Sequence, residues 1–214
     1  MPMVGLFVVL GCLSWTCDGG DEAAGGVTDV SLSDAGRRLC GVAANNLADL
    51  PIHAAYASAL SRSIETAERV LAHHDLEPIH DPGLNELHLG ALEGSNRVEA
   101  KQNYPELMHA WRNTPSQVQM PDGESIVQLQ ERVVATIQQI VEQHPGQTIL
   151  IVGHVFASLV YIAHAINLPL DAFPHLWLDP LGLSRLDTYR GRMRLKSLNE
   201  GITAPTSPIR WEED

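Results

Sequence analysis

Two stretches of the chain are continuous and β-prone, residues 4–10 (Val-Gly-Leu-Phe-Val-Val-Leu) and 148–152 (Thr-Ile-Leu-Ile-Val). Short unbroken runs of this kind predict strands covered on both faces. Residues 54–57 predict a further short strand. Between these runs the apolar period lengthens to that of a helix. After Ser33-Asp34, a helix-start pair, Leu39, Val42, Ala43 and Leu47 fall on one face. Ile64, Ala67, Val70 and Leu71 do so within 61–71, and residues 155–166 form another apolar helix. The clearest stripe is Ile126, Leu129, Val133, Ile137, Ile140 and Val141, which predicts a helix over 124–143 ended by Pro145-Gly146. Residues 183–189 and 193–198 flank Arg190-Gly191 as a hairpin at a sheet edge. Strands alternating with helices predict an α/β fold, a three-layer α/β/α sandwich around a mainly parallel central sheet. Ligands in such folds bind beyond the carboxyl ends of strands. Leu10-Gly11-Cys12 and Gly153-His154-Val155 stand at two such ends.

The remaining segments set the organisation. Residues 12–28, rich in Gly, Asp and Glu, read as a long loop. Residues 96–112 are helical in pattern but polar, with a break at Pro105, and read as a small cap inserted at about 95–120. No repeat interrupts the chain, so one domain is expected over 1–203, followed by a loose tail at 204–214 with two prolines and three terminal acids.

Composition narrows the functions. The chain has 214 residues, 44% hydrophobic and 19% charged, which suits one folded domain with a sizeable core. Fourteen Lys and Arg against 26 Asp and Glu leave a formal charge of −12, which opposes nucleic acid as a partner. An anion site must then be a local cationic pocket. Three cysteines, Cys12, Cys17 and Cys40, make no disulfide framework and fit a reducing, cytoplasmic setting. No apolar run reaches the roughly 18 residues of a membrane helix, so no membrane partner is expected. The apolar start through Trp15 resembles a lipoprotein leader ending at Cys12, but no basic residue precedes Arg37. A buried first strand is therefore the preferred reading and export the lesser alternative.

Five segments, in order, carry a resemblance. These are 30–36 (Val-Ser-Leu-Ser-Asp-Ala-Gly); Ser58-Ala59-Leu60-Ser61-Arg62 with Thr66-Ala67; Leu84-Asn85-Glu86 with Gly90 and Leu92-Glu93-Gly94; Pro121-Asp122-Gly123-Glu124-Ser125; and 149–154, ending in His154. Together they resemble the histidine phosphatase superfamily, the phosphoglycerate-mutase-like proteins, over roughly residues 4–201. The resemblance implies that Arg62 binds phosphate, that Glu86 is the general acid, and that His154 is the second histidine of the pocket.

In that family the first strand ends in Arg-His-Gly, whose histidine attacks phosphorus. The matching positions here are Leu10, Gly11 and Cys12, and no histidine precedes His53. Glycine offers no nucleophile. Loss of the arginine also removes a charge-assisted clamp, each such hydrogen bond contributing about 1.5–3 kcal/mol. Gly153 stands where the family has Ser or Thr, Val155 where it has glycine, Leu92 where an aromatic is common, and Cys17 near a phosphate-binding asparagine. Glu93 and Glu124 read as supporting or surface groups.

Three functions fit. The first is a degenerate protein that binds a small phosphate- or carboxylate-bearing molecule, or a protein partner, in the old pocket. That pocket would include Arg62, His154, Gly11, Cys12, Cys17 and Val155. The second is an enzyme with rewired chemistry, His154 and Glu86 acting as acid and base with Cys12 assisting. The third is a residual phosphomonoester phosphatase in which His154, or a water it activates, attacks. A Cys-x4-Cys pair with one distant histidine lacks the spacing of a metal site, so no metal and no cofactor is expected. The resemblance makes a homodimer reasonable.

Overall fold

The computed structural model describes the backbone of residues 5–10 and residues 25–201 in full. Among the described residues, six strands form one sheet: β1 (Gly5–Leu10), β2 (Ala54–Ala57), β3 (Ile79–His80), β4 (Thr148–Gly153), β5 (Gly182–Tyr189) and β6 (Arg192–Gly201). Their order across the sheet is β3-β2-β4-β1-β5-β6. The inner pairings, β2 with β3, β2 with β4 and β1 with β4, are parallel. β5 runs antiparallel to both β1 and β6. The register of β1 against β4 sets Leu10 beside Gly153.

Helices cover the two faces. On one lie α1 (Asp34–Leu47) and α2 (Ser61–Val70). On the other lie α5 (Ile126–Gln143) and α6 (Val155–Ala165). β4 shows why the sheet needs both. Leu150 and Val152 pack with Ala43, Leu47, Ala67 and Val70, whereas Ile149 and Ile151 pack with Leu129, Val133, Ile137 and Val160. Alternate side chains of a strand point to opposite faces, so an all-apolar strand requires two covering layers.

Three details depart from the sequence pattern. In α1 the buried stripe is Gly36, Cys40, Ala43, Ala44 and Leu47. Cys40 is 1% exposed and Val42 is 43% exposed, because the stripe follows the small residues that let α1 approach α2. α5 begins two residues after Glu124. Ser125 accepts from the Gln128 amide while the Gln128 side chain accepts from the Ser125 amide, and this capping box turns the chain out of the helix before Glu124. β6 extends to Gly201, past an irregularity opposite Leu183 to Leu186.

The polar stretch before α5 folds as two short helices, α3 (Arg97–Asn103) and α4 (Pro105–Asn113), with Pro105 opening the second. α4 buries no residue fully, but Leu107, Met108 and Trp111 rest on the α5–α6 core. Trp111, Phe156 and Phe173 meet edge to face, with ring centroids 5.4–6.1 Å apart. Among the described residues, no helix is long and apolar enough to cross a membrane.

Candidate functional site

Glu86 follows the 3₁₀ turn Pro82–Leu84, and its carboxylate reaches under the start of α6. Oε2 accepts from the Phe156 amide at 3.1 Å, and Oε1 accepts from Ala157 at 3.1 Å and from Leu87 at 2.9 Å. The carboxylate thus caps a helix N-terminus, where free amides and the helix dipole favour negative charge. Burial nevertheless raises the carboxyl pKa above its ordinary value, against the pull of those three amides and of Arg62.

His154 ends β4 and heads α6. Its Nε2 lies 2.6 Å from the Ser58 hydroxyl, which accepts in turn from the Leu60 amide at 3.3 Å. Burial pushes the imidazole well below the ordinary histidine pKa, and the positive charges of Arg62 and Arg132 add to the shift. The shift favours the neutral form of the ring. The direction of the Ser58 contact is set by which ring nitrogen carries the proton.

Arg62, at the head of α2, is 2% exposed. Its two terminal nitrogens donate to the carbonyls of Thr28 at 2.8 Å and Gly26 at 2.7 Å. Nε has no hydrogen-bond partner among the described residues. A guanidinium carries five N–H donors, and only two of them donate among the described residues. Glu93 holds the same segment from the other side, accepting from the Val27 amide at 3.0 Å, the Thr28 amide at 3.1 Å and the Thr28 hydroxyl at 2.6 Å. It also accepts from Leu89 at 2.9 Å, which joins segment 26–28 to the acid loop. Asp29 accepts from the Ser61 amide at 2.8 Å and the Ser61 hydroxyl at 2.6 Å.

The sequence pattern did not single out Arg132, on the polar side of α5. It forks onto Glu124 at 3.0 and 2.8 Å and donates to the carbonyls of Gly83, Asn85 and Glu86 at 2.9, 3.1 and 3.3 Å. Glu124 is therefore the anchor of an arginine that shapes the acid loop. The two motif loops also join through their backbones. Ala91 donates to Pro121 and Glu124 donates to His88, each at 2.8 Å. Gly90 and Gly123 meet so closely that a Cβ on either would strike the other loop's backbone. Beside Glu86 opens a cleft of about 480 Å³ lined by Val27, Asn85, His88, Glu124, Gln128 and Arg132 among others.

The structure therefore brings Arg62, Glu86 and His154 to one edge of the sheet. Val155 is the first residue of α6 and is half-buried beside them. Gly11, Cys12 and Cys17 lie outside the described residues. Cys40 belongs to the α1–α2 layer, where burial raises its thiol pKa.

The model of the histidine phosphatase superfamily (branch 1) matches residues 15–201, and this chain belongs to that family. Phosphoglycerate mutase-like protein 4 of Arabidopsis thaliana is 36% identical over 132 residues, covering 60% of this chain and 57% of its own length. Phosphoserine phosphatase 1 of Hydrogenobacter thermophilus is 25% identical over 174 residues, covering 81% of this chain and 82% of its own. The chain thus spans little more than half of the plant relative. Among solved structures, Bacillus stearothermophilus YhfR superposes with a TM-score of 0.86 at 24% identity, covering 92% of this chain and 98% of that one. At that identity the likeness speaks for the phosphoglycerate-mutase-like fold alone. The family match begins past Leu10-Gly11-Cys12.

Proposed function

We propose that this chain holds a small phosphate- or carboxylate-bearing anion in the pocket of Arg62, His154 and Glu86, without phosphohistidine chemistry. From the sequence alone, Gly11, Cys12, Cys17 and Val155 are candidates for the same pocket. The observation that carries this reading is the register of Leu10 against Gly153. There stands Leu10, the position that the resemblance matches to the arginine of the family's Arg-His-Gly, and the sequence has no histidine before His53 to take the place of the nucleophile. The start of the family match at residue 15 agrees with a divergent first strand end. Arg62 supports anion binding, since its buried Nε lacks a partner among the described residues and its planar fork suits phosphate or carboxylate.

Opposite shifts at Glu86 and His154 favour a second reading. A carboxyl biased toward its proton beside a neutral imidazole is the division of labour that acid–base chemistry uses. In that case the natural chain turns over a substrate by a route without a phosphohistidine.

The test is restoration. The relatives' names include phosphoserine phosphatase and phosphoglycerate mutase, so the panel is phosphomonoesters. The natural chain is assayed beside the double variant Leu10→Arg/Gly11→His, with mass spectrometry for a trapped phosphoryl adduct and calorimetry for phosphate binding. The expected result is phosphate binding without turnover by the natural chain, and turnover with an adduct only in the variant. Turnover by the natural chain that is lost in both His154→Ala and Glu86→Gln overturns the binding-only reading in favour of the second.

A further inference from the structure

We infer that the outer side of the β5–β6 hairpin is a docking surface for an extended acidic peptide of a partner protein, added as a strand along β6. The hairpin is the cationic exception in an acidic molecule. Between Gly182 and Gly201 stand Arg185, Arg190, Arg192, Arg194 and Lys196 against Asp187 and Glu200, a local charge of +3 in a chain whose total is −12. Strand periodicity sorts these residues. Met193 and Leu195 rest on the α5–α6 core, while Arg192, Arg194 and Lys196 alternate with them and are exposed. Those three cations form a row with the roughly 6.6 Å spacing of alternate strand residues.

The row continues across the hairpin. Tyr189 opposes Arg192, and Asp187 opposes Arg194. Arg190 and Arg194 lie over the Tyr189 ring at 5.2 and 4.8 Å, so their guanidinium planes are held by stacking. Asp187 accepts from Arg194 at 2.9 and 2.7 Å and also feels the charge of Lys196, while Arg192 has no ion pair among the described residues. A hollow of about 460 Å³ opens among Tyr189, Arg190, Arg192, Met193 and Arg194. β6 ends the strand order, so among the described residues no strand pairs with its outer side.

Cations on an edge strand ordinarily discourage pairing with another strand. That protection is selective by charge. It repels neutral or basic strands and attracts one whose acids fall at alternate positions, opposite Arg192, Arg194 and Lys196. Main-chain hydrogen bonds along β6 then supply affinity, and the alternating carboxylates supply register and specificity. A duplex nucleic acid suits the site less well, since the rest of the molecule carries a net charge of −15 once the hairpin's +3 is taken from −12.

The experiment titrates the intact chain with two fluorescent nonapeptides of equal composition. One alternates Glu with Val and Thr, and the other groups its Glu residues together. The expected result is saturable binding of the alternating peptide about tenfold tighter than the grouped one, weakened at least about tenfold in Arg192→Glu/Lys196→Glu with an unchanged melting temperature. Slowed amide exchange should be confined to β6. Equal binding of the two peptides overturns the proposal, as does no saturation by about 1 mM peptide. Tighter binding of duplex DNA or of phosphatidylserine vesicles, or a concentration-dependent dimer abolished by the same double variant, also overturns it.

Discussion

The Ser58 hydroxyl lies 2.6 Å from His154 Nε2, in a fully buried pair that ties the end of β2 to the end of β4. Both strands end at the same edge of the sheet, so the contact fixes the imaginary seam along which Arg62, Glu86 and His154 converge. Ser58→Ala leaves the imidazole nitrogen buried without its partner. An unsatisfied buried polar group costs about 1–3 kcal/mol. The expected loss of that size should appear in urea unfolding, with the fold intact by circular dichroism.

The pH dependence of stability follows from the two opposed shifts. His154 has a folded pKa below its unfolded value, so the unfolded chain binds its proton first as pH falls. Stability is therefore lost downward from about pH 6.5, the ordinary histidine value. Glu86 has a raised folded pKa, so its contribution is present below the ordinary carboxyl value and is lost as pH rises through the folded pKa. Glu86→Gln should remove the second slope and His154→Gln the first. Thermal melts of the three proteins across pH 4 to about 8 check both signs.

Arg62 holds Gly26 and Thr28, and Glu93 holds Val27 and Thr28, so the two grip one short segment and share Thr28. Arg62→Ala should cost about 3 kcal/mol, since it removes two charge-assisted hydrogen bonds and leaves a buried gap. Glu93→Ala should cost about 2 kcal/mol through the amides it strands. The double variant should cost less than both losses added, by about 0.5–3 kcal/mol, because either change alone loosens segment 26–28. Full additivity in a double-mutant cycle would mean that the two residues act on separate parts of the fold.

Arg132→Met keeps the stem of the side chain and removes the guanidinium. Glu124 loses its partner, and the carbonyls of Gly83, Asn85 and Glu86 lose a shared donor. The expected cost is about 2 kcal/mol, discounted for the partial exposure of the arginine. Amide exchange should quicken at residues 83–87 and remain unchanged in α2. An unchanged acid loop would show that the loop holds its shape without the arginine.

Much of this fold is legible in the sequence, because its signals are local. The unbroken strands, the stripe of α5 and the proline opening α4 each depend on neighbours within a few residues. β3 is a two-residue strand without a pattern to detect, and it exists because β2 offers it an edge. The buried face of α1 was misread at Val42, since burial there follows closeness to α2, and small residues such as Cys40 and Ala43 allow it. At the site, the motifs place Arg62, Glu86 and His154 together. They do not reveal that Arg62 grips carbonyls 34 and 36 residues earlier in the chain, or that Arg132 reaches back nearly 50 residues to the acid loop. A polar residue on a helix looks the same in sequence whether it meets water or a carbonyl.

The junction of Gly90 and Gly123 has a consequence for how such proteins can vary. Each residue leaves room only because the other loop's backbone fills it, and Gly90 also has φ +57°, a conformation that side chains rarely tolerate. A side chain gained at one position meets backbone, so no change of side chain at the other can make space for it. Ordinary compensation between touching residues is closed off here. The two positions should be inherited as glycines together, or exchanged together with a rebuilt pair of loops.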